Sequence, residues 1–260
     1  MAEVATAISP GVLAERLESV AGQARPVSLA QARFLEIGES LSTLFPGGLR
    51  RGTTICISGT GGATSLALAL LGDCSSQGRW CAVVGLADLG VTAAAEMGAD
   101  LGKLALVPYP DDRWATVVAA LLDGFEVVAA TPPRKPKATE ARRLSARARQ
   151  RGAVLLVIEP GNQTNGMGRK SGWPEAPDQS LVVTSGRWIG VEEGYGCLRS
   201  RQAQVIRRGR RAQAKEVADQ LWLPLTGEGV NPDPPSIVSA KTSLMVGLEE
   251  VVTTSTTVAG

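Results

Sequence analysis

Thr53-Thr54-Ile55-Cys56-Ile57-Ser58-Gly59-Thr60-Gly61-Gly62-Ala63-Thr64-Ser65-Leu66-Ala67-Leu68-Ala69-Leu70-Leu71 is the stretch on which the reading of this chain turns. An apolar, β-branched run enters a glycine loop, and the loop opens into a run of good helix formers. Strand, glycine loop and helix form the cradle in which backbone N–H groups and a helix N-terminus face a phosphate. A working cradle reads G-x-x-x-x-G-K-[ST], its lysine reaching the outer phosphates and its hydroxyl holding magnesium. Here Gly62-Ala63-Thr64-Ser65 stands where Gly-Lys-Thr/Ser belongs, and the loop counted from Gly59 is two residues short. The architecture is kept and the charge is lost, which points to a binding or scaffolding role. Without its surroundings, the same stretch also reads as a tight glycine turn in an ordinary α/β protein.

Outward from the loop, apolar and helical stretches alternate. Strands are expected at 53–58, 80–85, 104–107, 125–130 and 153–158, and helices at 63–72, 91–98, 113–122 and 138–151. The strand runs are apolar throughout, without period two. That is the pattern of an α/β fold whose mostly parallel sheet is covered by helices on both faces. Beyond them, 181–185, 188–191, 196–200 and a stretch near 204–207 read as antiparallel strands at the sheet edge. An amphipathic helix is expected over 10–24, entered at Ser9-Pro10, with Val12, Leu13, Leu17 and Val20 on one face. From Thr226 the chain is rich in Gly, Pro, Ser and Thr, and a disordered tail is expected. The division is therefore 1–40 as N-terminal helix and linker, 41–225 as the core with a basic C-terminal segment, and 226–260 as the tail.

Composition narrows the chemistry. With 260 residues, 44% of them hydrophobic, the chain can bury one good core. A net charge of +2 imposes no global field on a partner. Cys56, Cys74, Cys81 and Cys197 show no C-x-x-C spacing, and Cys56 and Cys81 sit within apolar strand runs as reduced core residues. There is no histidine, so serine–histidine and cysteine–histidine hydrolases are excluded and the usual zinc ligand is missing. No metal site is expected. No signal peptide and no 18-residue apolar run is found, so a cytoplasmic protein without a membrane span is expected.

Two basic concentrations stand out. Arg134, Lys135, Lys137, Arg142, Arg143, Arg147, Arg149 and Arg151 face a single acid, Glu140. Arg199, Arg201, Arg207, Arg208, Arg210, Arg211 and Lys215 end at Glu216. Like charges four residues apart on a helix repel, so unbalanced runs suggest an anionic partner such as nucleic-acid phosphate or an acidic protein face. The other reading is a solvated face whose acids come from elsewhere in the fold. The glycine-rich segment 161–172 could drape along single-stranded DNA or serve as a linker. Gln220-Leu221-Trp222-Leu223-Pro224-Leu225 is similar to peptides that insert into the bacterial sliding clamp, with Gln220, Leu221, Leu223 and Leu225 as its anchors. Its alternative is an apolar strap on the protein's own core.

The segment 41–52, with Gly47-Gly48-Leu49 before a basic pair and Gly52, resembles the opening of the RecA family core. The resemblance continues through 80–88, then 94–104 with Leu101-Gly102-Lys103-Leu104, and Tyr109-Pro110-Asp111. On this resemblance the family's catalytic glutamate falls near Ala87, with Asp88 the nearby carboxylate. Its magnesium-binding aspartate falls on Thr131, and its γ-phosphate-sensing glutamine on Glu159. Phosphoryl transfer rests on positioned charge, so four simultaneous losses imply a pseudo-ATPase with no catalytic residue and no required cofactor. Backbone N–H groups alone leave weak ATP binding open.

Within that family the chain most resembles the RecA-like accessory branch of the bacterial mutasome, ImuA, in its actinobacterial form ImuA′. The carrying residues are Gly47-Gly48-Leu49, the loop 61–65, the unit from Arg142-Arg143-Leu144 to Val154-Leu155, Trp188-Ile189-Gly190 and the basic end 199–211. The resemblance implies an adaptor in SOS-induced translesion synthesis and damage-induced mutagenesis, associated with the nucleoid during DNA damage. It would bind an inactive Y-family polymerase homologue (ImuB-like) and act indirectly with an error-prone C-family DNA polymerase. Direct partners would be met through residues 10–24 or the basic end, and single-stranded DNA through charge alone. One rival is a SulA-like cell-division inhibitor, although such chains are shorter and lack a long basic C-terminal segment. Another is an atypical nucleotide-binding RecA paralogue.

Overall fold

The computed structural model describes residues 33–59, 61–159, 172–192, 195–210 and 216–223, with side chains described in all of these except 185–199. The expected helix at 10–24, nearly all of the segment 161–172, Arg211, Leu225 and the expected tail lie outside the described residues.

A small antiparallel pair, β1 (Phe34–Leu35) and β2 (Leu49–Arg50), brackets the short helix α1 (Glu39–Ser42). The main sheet then begins with β3 (Thr54–Gly59), followed by helix α2 (Ala63–Ser76) and β4 (Cys81–Val84). Next come α3 (Val91–Glu96), β5 (Leu104–Val107), α4 (Trp114–Gly124) and β6 (Val127–Ala130). Helix α5 (Ala138–Arg151) and β7 (Val154–Ile158) complete the alternation. Three longer strands close the chain: β8 (Gln179–Glu192), β9 (Tyr195–Gly209) and β10 (Val217–Leu223). The eight-stranded sheet has the order β10-β9-β8-β3-β7-β6-β4-β5. Strands β8, β3, β7, β6, β4 and β5 run parallel, and β9 and β10 add antiparallel to β8.

The uniform burial of the central strands follows from their position. In β3, Ile55 and Ile57 point to one core and Cys56 to the other. The same alternation splits Val154 and Leu156 from Leu155 and Val157. One core lies under α2 and the β1–β2 unit, and the other lies under α4 and α5. Helix α5 buries Ala141, Leu144, Ser145 and Ala148, a stripe at helical spacing, and turns Arg142, Arg143 and Arg149 outward.

The expected four short C-terminal strands are replaced by one long hairpin. Gly186 and Gly190 read as breaks in the sequence. In the fold the ladder continues through Gly186↔Ala203 and Ile189↔Ser200, with register shifts between Val183 and Ser185 and between Ile189 and Val191. Bulges absorb the irregularity without ending the pairing. Strand β10 holds Gln220 to Leu223, expected as a strap or a clamp peptide, in an edge strand of the sheet.

The acids for part of the first basic run come from elsewhere in the fold. Asp123, at the end of α4, accepts hydrogen bonds from Arg147 Nε at 2.7 Å and Arg151 Nε at 3.0 Å, and Arg147 Nη2 also contacts it. Partial burial alone would raise the Asp123 pKa, but the hydrogen bond from Arg147, reinforced by the charges of Arg147 and Arg151, holds it below its ordinary value. A lowered folded pKa contributes stability that is present above the unfolded value and is lost as pH falls through the folded one. Asp123→Asn is therefore expected to cost about 1 kcal/mol at neutral pH, discounted for partial exposure. It should cost much less in strong acid. Urea unfolding of both proteins at the two pH values measures the difference.

Candidate functional site

The glycine loop sits at the carboxyl edge of the sheet, where open α/β folds place their ligands. Gly59 has φ 152°, and a Cβ there would lie 2.2 Å from the Val183 carbonyl oxygen. Gly62, with φ 93°, is the N-cap of the fourteen-residue α2, and its carbonyl accepts from Leu66 N–H at 2.8 Å. Both positions demand glycine, one for close backbone approach and one for left-handed geometry. Ala63 is the first helical residue and is only 5% exposed, its methyl in the core beside α2. Thr64 is exposed and Ser65 half-buried.

The cation over this loop comes from the antiparallel hairpin. Arg201, on β9, brings its Nη2 to 2.9 Å from where a Gly61 Cβ would stand. Its Cζ and Nη1 lie 3.2 Å from the equivalent point on Gly62. A guanidinium of the chain itself therefore covers the glycines. In the sequence Arg201 is only one member of a basic run, because the pairing of β9 with β8, and of β8 with β3, is what carries it there.

The other landmarks line the same edge. Glu159 N–H donates to Ile57 O at 2.9 Å, and the Glu159 carboxylate accepts from Trp173 N–H at 2.9 Å. Thr131 N–H donates to Val84 O at 2.9 Å, and its nearly buried Oγ1 has no hydrogen-bond partner. Ala87 and Asp88, beyond β4, are exposed. The edge thus brings together a glycine loop, an alanine, a threonine and a carboxylate already engaged by a backbone N–H. Among the described residues no group of three or more Cys, Asp or Glu side chains is placed to hold a metal ion.

The ends of the two basic runs meet at the opposite, amino edge of the sheet. Asp178, just before β8, accepts from Thr54 N–H at 3.0 Å. Its Oδ1 lies 3.9 Å from Arg149 of α5 and 3.9 Å from Arg210 at the end of β9. Arg149 and Arg210 are exposed there; Arg142 and Arg143 are exposed too, but lie in the first half of α5, toward the carboxyl edge. Arg208 pairs with Glu216 at 2.7 Å. Arg207 is half-buried, and desolvation lowers its pKa. Arg147 is spent on Asp123. Charges that are distant in sequence form one surface here, and Asp178 neutralises only part of it.

Gln220 to Leu223 lie within β10. Leu221 and Leu223 are 4% and 1% exposed in the core, while Gln220 is exposed and pairs with Gln204 across the ladder. Insertion into another protein's groove would require this edge strand to leave the sheet. No helix among the described residues is long and apolar enough to cross a membrane.

The profile of the MT3502 N-terminal domain family matches residues 43–163, which hold β2 to β7, the glycine loop and helix α5. Over 201 residues the chain is 36% identical to the uncharacterized protein Rv3395c of Mycobacterium tuberculosis, an alignment spanning 76% of this chain and 93% of that protein.

Proposed function

We propose that this chain, which belongs to the family of Rv3395c, is a non-catalytic RecA-like adaptor of the ImuA′ kind, serving error-prone translesion synthesis. In this reading the RecA-like core is a scaffold held together by burial and not by nucleotide. The observation that carries it is the content of the carboxyl edge. On the resemblance, the positions of the lysine, the magnesium ligand, the water-orienting group and the γ-phosphate sensor are Ala63, Thr131, near Ala87 and Glu159, and Arg201 lies across the loop. Phosphoryl transfer needs charge at those places. The amino-edge arginines supply the partner surface, an electrostatic one suited to an acidic protein face or to nucleic-acid phosphate with salt-sensitive affinity. The partner is an inactive Y-family polymerase homologue, through which an error-prone C-family polymerase is reached.

Tagged protein captured from damage-treated cells tests this. Recovery of the Y-family homologue, lost in an Arg149/Arg208/Arg210→Glu variant, is the expected result. Those three side chains are exposed or surface-paired, so the variant should fold. Recovery of the tubulin-like division protein instead would move the chain to the SulA-like reading. Tight magnesium-dependent ATP binding by the natural protein would overturn the non-catalytic one.

A further inference from the structure

Three carboxylates at the amino edge of the sheet are each shared by two arginines. Asp178, before β8, faces Arg149 and Arg210, and Asp123, at the end of α4, holds Arg147 and Arg151. Glu126, before β6, holds Arg51 and Arg79. Six guanidiniums against three carboxylates leave a surplus of three positive charges. Arg208 and Glu216 add a neutral pair at the β9 end. Asp73 and Asp100 stand at the same end of the sheet, matched in number by Arg50 and Lys103.

These groups form a row. In the sheet order β9-β8-β3-β7-β6-β4, Arg210 follows β9, Asp178 precedes β8 and Arg51 precedes β3. Arg149 and Arg151 end α5 ahead of β7, Glu126 precedes β6, and Arg79 precedes β4. The five strand spacings from β9 to β4, about 4.8 Å each, make a row roughly 24 Å long. Its surplus is open to solvent, because the Arg149, Arg151 and Arg210 side chains are 58%, 45% and 50% exposed.

The row lacks what a protein partner would need. The core of a protein–protein interface is apolar and poor in charge. The exposed large hydrophobics among the described residues, Phe34, Val91, Leu101, Leu106 and Tyr109, all lie on other segments of the chain. A line of guanidiniums without apolar anchors suits a regular array of phosphates, which the planar fork binds through paired N–H donors. Single strands add base stacking on open aromatic rings. Trp80, at the β4 end of the row, has Lys103 Nζ over its ring at 4.6 Å and packs edge-on against Phe125. That ring is taken. A duplex, which keeps its bases stacked inside and its phosphates outside, asks for charge alone.

We propose that the amino edge binds the phosphate backbone of double-stranded DNA, without reading its bases. The proposal deepens the adaptor reading by choosing DNA for that surface, and the choice of DNA over RNA rests on that reading.

Fluorescence anisotropy of a labelled DNA duplex titrated with the purified chain tests it. Three neutralised phosphates predict roughly a 40-fold loss of affinity between about 50 and 200 mM salt. Arg149→Gln/Arg151→Gln/Arg210→Gln removes the surplus at exposed positions and should weaken binding at low salt by about tenfold or more. Arg113→Gln/Arg142→Gln/Arg143→Gln removes the same charge at exposed positions toward the carboxyl edge, and should change it less than about threefold. An unlabelled single strand of the same length should compete no better than the duplex. No binding at low salt, equal losses in the two variants, or clear preference for the single strand would each overturn the proposal. The titration contains no polymerase homologue, so it fails separately from the capture experiment. A homologue recovered from nuclease-treated lysate, beside a chain that ignores the duplex, would sink this proposal and leave the adaptor reading. Duplex binding with no homologue recovered would do the reverse.

Discussion

Gly59→Ala is expected to destabilise the fold by about 3 kcal/mol or more. The added Cβ would stand 2.2 Å from the Val183 carbonyl oxygen and 3.0 Å from the Val183 carbonyl carbon and Cβ. These are backbone atoms and a strand side chain, held by the β3–β8 ladder at the Gly59↔Val183 pair. No flexible group is available to move aside. Relief requires opening the pairing where the parallel sheet joins the long hairpin, and Arg201 would leave the glycine loop with it. Denaturant unfolding should show the loss of stability. Gly78→Ala, whose Cβ would meet nothing within 4 Å, controls for the conformational cost of replacing a glycine at positive φ (80°). Equal losses in the two variants would show that backbone conformation, and not the contact with Val183, sets the effect.

Glu126→Ala is expected to cost about 3 kcal/mol by a different route. Glu126 Oε1 accepts from Arg51 Nη2 at 2.6 Å and lies 3.5 Å from Arg79. The Arg51 side chain is 9% exposed, and its Nε and Nη1 have no hydrogen-bond partner. Removing the carboxylate therefore leaves a largely buried guanidinium without an acceptor, and the penalty is the desolvation of that charge. The pair itself is a weak source of net stability, because both charges were taken out of water to make it. Replacing both partners, Arg51→Met with Glu126→Leu, should accordingly recover most of the loss. A double variant as unstable as Glu126→Ala alone would show that this ion pair contributes stability in its own right. Thermal unfolding of the two variants beside the natural protein decides between the two outcomes.

Much of the fold was legible because its signals are local. The apolar runs at 104–107 and 153–158, and the helix at 138–151, match strands and a helix to within a residue. A strand buried on both faces and an amphipathic helix each leave their own period in the sequence. The glycine loop was legible for the same reason, since Gly59 and Gly62 are required by backbone geometry at their own positions. The hairpin was not, because bulges carry the ladder past Gly186 and Gly190, and glycine is a weak breaker once two long strands pair. The residues 220–223 show the limit from the other side. The alternation that looks like an insertable peptide is also the alternation of an edge strand with one buried face, and local sequence cannot separate the two.

By itself the sequence determined the alternating α/β pattern, the lysine-free loop and the lack of histidine chemistry, each a property of residue type and short spacing. Only the tertiary structure decided which charges meet. Arg201 on Gly61 and Gly62, Arg149 and Arg210 at Asp178, and Arg147 and Arg151 on Asp123 all join residues far apart in the chain. Side-chain charges act over a few ångströms, and strand order, not sequence distance, sets which of them come that close.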